Sequence, residues 1–153
     1  MRLYAGIGSR ATPPETLAKM GKIATYLDKN GWILRSGGAR GADRAFELSA
    51  TNTEIFLPRD DLPLWTNIFT EHFHGAPDRL KPYARQLMNR NAMQILGEDG
   101  NTPVEMVVCW TKDGKSSGGT GQALRIAEYY SIPIFNLKND GAIEQLKRFL
   151  RWH

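Results

Sequence analysis

Three glycine-rich turns carry the residues best suited to chemistry. They are Gly6-Ile7-Gly8-Ser9-Arg10, Ser36-Gly37-Gly38-Ala39-Arg40-Gly41-Ala42-Asp43 and Ser116-Ser117-Gly118-Gly119-Thr120-Gly121. The first two directly follow apolar runs, and the third lies a few residues beyond one. Glycine lets backbone N–H groups approach a ligand closely. A helix starting just behind such a turn adds unpaired donors and the positive end of its dipole. Turns of this kind around one parallel sheet form a pocket for a phosphate-bearing ligand. Gly8, Ser9, Arg10, Ser36, Gly37, Gly38, Arg40, Gly41, Gly118, Gly119, Thr120 and Gly121 are the expected binding residues, with Arg35 as a second cation beside the middle turn.

Two familiar phosphate motifs do not fit. Gly114-Lys115-Ser116 ends like a P-loop, but that motif needs glycine at the position of Cys109. Gly6-Ile7-Gly8 begins like a dinucleotide fingerprint, but Ala11 stands where its third glycine belongs. His72 and His74 point apart on a helix and lack a third ligand, so no metal is expected. No cofactor is expected either.

The elements that position these turns follow from hydrophobic spacing. Leu3–Ile7, Trp32–Leu34, Glu54–Leu57, Val104–Trp110 and Ile132–Phe135 read as strands. Leu17, Met20, Ile23, Ala24 and Leu27 form the buried stripe of a first helix, which ends at Gly31. Further helices are expected over about 42–50, 80–96, 121–131 and 141–152, with a short one near 64–72 inside an irregular stretch from 58 to 80. Strand alternating with helix predicts an α/β, Rossmann-like parallel sheet of about five or more strands, with helices on both faces and one domain over 1–153. Ligands of such sheets sit at the carboxyl ends of the strands, where all three turns fall.

Composition bounds the function class. The chain has 153 residues, 41% hydrophobic and 24% charged, an ordinary balance for a globular domain. The formal charge of +4 is compatible with an acidic partner. Lys and Arg are scattered, and no basic stripe with interleaved aromatics marks a nucleic-acid surface. Cys109 is the single cysteine and reads as a core residue, which excludes an internal disulfide. No run approaches the roughly 18 apolar residues of a membrane span. Met1–Gly6 lacks the apolar core of a signal peptide, so a cytoplasmic location is expected.

The motifs resemble the SLOG superfamily of Rossmann-like domains. That superfamily includes the DNA-processing protein A (Smf) domain and the cytokinin-activating "lonely guy" phosphoribohydrolases. Residues 36–43 are similar to the Ser-Gly-Xaa-Ala-Arg-Gly-Xaa-Asp turn of the DNA-processing proteins. Asn89-Arg90-Asn91 resembles their Arg-Asn-Arg segment, and residues 117–121 are similar to the hydrolases' Pro-Gly-Gly-Xaa-Gly-Thr turn. The resemblance implies nucleotide or nucleotide-sugar binding, with N-glycosidic cleavage as an accompanying activity, and a homodimer. It also adds Arg90, as a phosphate grip, and Asn91 to the site.

The chain departs from the hydrolases where their glutamates stand. Arg125 and Ala123 occupy those positions. A carboxylate that supports an oxocarbenium-like sugar would have to come from elsewhere, with Asp43, Glu47, Asp60, Asp113 and Glu128 as candidates. Arg90, Asp43 and Glu128 are the expected catalytic set. A nucleotide sensor without turnover fits the missing glutamates about as well. Single-stranded DNA binding of the DNA-processing type ranks behind both. Trp110, at the end of a strand, is equally suited to stacking on a base and to core packing.

Overall fold

The computed structural model describes residues 2–152. Five strands, β1 (Arg2–Gly6), β2 (Trp32–Ser36), β3 (Thr53–Ile55), β4 (Met106–Cys109) and β5 (Ile134–Asn136), form one sheet in the order β3-β2-β1-β4-β5. Every pairing is parallel. The described residues form six α-helices, five between strands and the last after β5: α1 (Pro14–Lys29), α2 (Ala42–Glu47), α3 (Leu64–Phe73), α4 (Pro82–Leu96), α5 (Gly121–Tyr129) and α6 (Ala142–Leu150). A 3₁₀ turn at Pro77–Arg79 precedes α4.

Alternation along the strands divides the core in two. Leu3, Ala5 and Ile7, with Val107 and Cys109, face α4 and α5, and Trp65, Phe69 and Phe73 of α3 pack against that cluster. Tyr4, Leu34, Met106 and Val108 face α1, α2 and α6 through Met20, Leu27, Phe46 and Leu146. Burial on both faces explains the nearly unbroken apolar character of β4.

The expected elements are present, but several ends move. The strand read over 104–110 is paired only over Met106–Cys109, and the helix read to residue 50 stops at Glu47. Strand ends are set by the reach of the neighbouring strand, which local spacing does not encode.

The chain order creates a switch point. From β1 the connections run outward through β2 to β3, then return across β1 to β4 and β5. A crevice opens at the carboxyl ends where the winding reverses, between β1 and β4.

Candidate phosphate-binding cleft

The crevice is a cleft of about 830 Å³. Ile7–Ala11 after β1 and Thr111 and Lys112 after β4 line its centre. Ala39, Arg40 and Asp43 come from the second turn, and Ser117–Thr120 from the third. One face of α4, from Tyr83 through Leu87, Met88, Arg90 and Asn91 to Gln94, closes the remaining side. Four cationic side chains, Arg10, Arg40, Arg90 and Lys112, stand against one carboxylate, Asp43. Arg10, Arg40 and Lys112 are exposed at the rim, while Arg90, Asn91, Gln94 and Asp43 are buried. The cleft is electropositive and deepest where its polar groups are fixed.

Close approach of backbone to backbone locks the first two turns together. Gly41 has φ +86°, and a Cβ there would lie 2.7 Å from Arg10 Cα and 2.8 Å from Ser9 O. The Ser9 carbonyl also accepts the Thr12 hydroxyl at 2.6 Å. No side chain larger than hydrogen fits between the turns without parting them.

The second and third turns are joined through α4. Arg90 donates through Nη1 to the Gly37 carbonyl, and to the Phe56 carbonyl at 3.3 Å. Its Nε donates to Asn91 Oδ1 at 3.0 Å, and Asn91 Nδ2 donates to the Gly119 carbonyl at 2.9 Å. The Arg90–Asn91 pair is therefore a brace between two loops distant in sequence. Arg90 was expected to grip phosphate, yet much of its guanidinium is committed to this brace. Burial pulls its pKa below the ordinary arginine range, against the opposing charge of Asp43.

Asp43 sits where the first and second turns meet. The Ala39 N–H donates to its carboxylate at 3.4 Å, and the Gly8 N–H also faces it. Burial pushes its pKa up to about 6, opposed by Arg90 and by these two N–H groups and assisted by the neighbouring charge of Glu47. Glu47 accepts the Gly38 N–H at 2.9 Å. Two N–H groups of the second turn thus already meet carboxylates of the chain itself. The third turn differs. Among the described residues no hydrogen bond occupies the N–H groups of Gly118, Gly119 or Thr120, which line the cleft just ahead of α5, whereas the Gly121 N–H donates to the Gly118 carbonyl at 3.1 Å.

Several expected site residues serve the scaffold. Ser36 donates to the Gly6 carbonyl at 2.6 Å, tying β2 to β1. Ser36, Gly37, Gly38 and Gly41 shape the second turn without lining the cleft, and neither does Gly121, which packs against the Ser116 carbonyl. Arg35 does not flank the ligand side. It is buried against Glu54 at 2.7 Å and the Thr102 carbonyl, because side chains alternate along β2. Glu128, expected beside Arg90 and Asp43, is not brought to them. It lines a second hollow and meets the Ser116 hydroxyl. Asp60 and Asp113 also lie outside the cleft lining. Trp110 is in the core. At the two positions of the missing glutamates, Ala123 is buried and Arg125 donates to the Phe73 and Ser116 carbonyls.

Tyr83, Leu87, Met88 and Gln94 were not anticipated. Tyr83, Leu87 and Gln94 follow helical spacing from Arg90, and Met88 follows it from Asn91, so nominating that pair on a helix would have been enough to find them. Among the described residues, no cluster of three His, Cys, Asp or Glu could hold a metal ion, and no helix is long and apolar enough to cross a membrane.

Fold and cleft together define a Rossmann-like α/β domain with an electropositive switch-point crevice. No family model and no curated protein matches the chain. A solved structure does match: DNA processing protein A from Helicobacter pylori, described for its single-stranded DNA binding mode. The TM-score is 0.63, with 21% identity, over 96% of this chain and 72% of that one. The domain has a DNA-processing-protein-A-like Rossmann fold.

Proposed function

We propose that the cleft binds single-stranded DNA, holding phosphate at the third turn just ahead of α5, with Arg10, Arg40 and Lys112 drawing the backbone in. The observation that carries this reading is the electropositive switch-point cleft whose third turn offers the unoccupied N–H groups of Gly118, Gly119 and Thr120. Its occurrence on a fold shared with a single-stranded-DNA-binding protein adds support. On this reading the chain is a SLOG-type domain. The test is fluorescence anisotropy of a labelled thymidine oligonucleotide across a salt series. Log affinity should fall linearly with log salt, by about 0.7 per phosphate neutralised. No binding at low salt would refute the proposal.

A second reading has its own support. The cleft volume suits a small molecule, and Asp43 is a buried carboxyl that changes charge near pH 6. A nucleoside monophosphate held by the same loops would place its sugar near that group. Incubation with nucleoside monophosphates tests it: release of free base that Asp43→Asn abolishes would support N-glycosidic cleavage. A thermal shift with the nucleotide recovered intact would support a sensor.

A further inference from the structure

The walls of the cleft are chemically unlike one another. Its loops supply cations and backbone N–H groups, whereas α4 presents Tyr83, Leu87 and Met88 toward the mouth and Arg90 and Asn91 toward the floor. A bare phosphate needs only the loops. An apolar, aromatic wall beside them fits a ligand with one anionic edge and one flat π face.

We infer that Tyr83 is the stacking platform for a base whose phosphate is held by the loops, with Leu87 and Met88 continuing the apolar surface under the ring. This rests on the reading of the cleft as a single-strand binding site and extends it from the backbone to the base. Tyr83 is the one aromatic among the described residues lining the cleft, and it is 63% exposed, so its ring is accessible. Trp110, for which stacking and core packing are equally open in the sequence, is 7% exposed and packed in the core. A tyrosine ring accepts any base, because every base has a π face, so the wall selects for the presence of a base rather than its identity.

The experiment compares a thymidine oligonucleotide with an abasic strand of equal length and charge, for the wild type, Tyr83→Ala and Tyr83→Phe. Tyr83→Ala should weaken the thymidine strand about 5- to 150-fold. It should leave abasic affinity and the salt slope unchanged, and Tyr83→Phe should retain the preference for bases. Equal affinity of wild type and Tyr83→Ala for thymidine, or an equal loss on both strands, overturns the platform while leaving DNA binding intact. If the wild type binds neither strand, the single-strand reading fails with it. The wall then meets its own test in thermal shifts with thymidine monophosphate against deoxyribose 5-phosphate. A base-dependent shift lost in Tyr83→Ala supports the platform for a mononucleotide, and no such shift overturns it.

Discussion

Two glycines at the cleft are required for different reasons, and exchanging each for alanine separates ligand from scaffold. A Cβ at Gly119 would meet nothing within 4 Å, and its φ lies outside the left-handed region. The fold does not need glycine there, so Gly119→Ala should change stability by no more than about 0.5 kcal/mol. That is roughly 2 °C in Tm for a domain of this size. The added methyl would stand in the cleft just ahead of α5, where a phosphate must come close to the N–H groups. Loss of one hydrogen bond to a charged group costs about 1.5–3 kcal/mol, so oligonucleotide affinity should drop roughly 10- to 150-fold.

Gly41→Ala should behave oppositely. Backbone strain at φ +86° and the clash with Arg10 and Ser9 combine to about 2–5 kcal/mol. The expected fall in Tm is roughly 4–20 °C. Differential scanning fluorimetry and anisotropy on the same preparations provide both readouts. Wild-type affinity in Gly119→Ala would refute the phosphate seat at the third turn. A large loss of stability in that variant would refute the claim that the fold tolerates a side chain there.

Other consequences are equally direct. Removing Arg10 or Arg40 should weaken binding across all sequences and reduce the salt slope by about 0.7 for each phosphate no longer neutralised, measured by anisotropy. Asn91→Ala leaves the Gly119 carbonyl and Arg90 Nε without their partner. It should destabilise the domain by about 1–3 kcal/mol in urea titration, with a loosened third turn visible as faster amide exchange at 117–121. Asp43 is raised in the fold, so its contribution to stability is fully present below the unfolded-state pKa near 4 and is lost as pH rises through about 6. Ionising it within the fold costs about 3 kcal/mol relative to the unfolded chain. Asp43→Asn should therefore raise Tm at pH 8 and lose that advantage at pH 4. Oligonucleotide affinity of the wild type should rise as pH falls from 8 to 5.5, because a neutral Asp43 no longer repels phosphate.

Local chemistry made the strand-turn-helix order legible. Apolar runs ending at glycine must be buried strands entering tight turns, and the repeat of that pattern admits few arrangements beyond a parallel sheet with helices on both faces. The glycines and Arg10, Arg40 and Asp43 are read from the chain because their types and spacing suffice, and Arg90 is read from the resemblance of residues 89–91 to a family segment. What the chain cannot state is which way a side chain is used once strands pair. Arg35 and Arg40 stand alike beside the second turn, yet pleat and register bury Arg35 against Glu54 and leave Arg40 at the rim. Gly38 and Ala39 look open to phosphate, but Glu47 and Asp43 return from the following helix to occupy their N–H groups. Tyr83 and Trp110 are both aromatic, and only packing decides that one is exposed in the cleft and the other is core. The sequence by itself determined the turns, their helices and the fold that gathers them. Tertiary structure decided which donors remain free for a ligand, because that depends on how segments tens of residues apart meet.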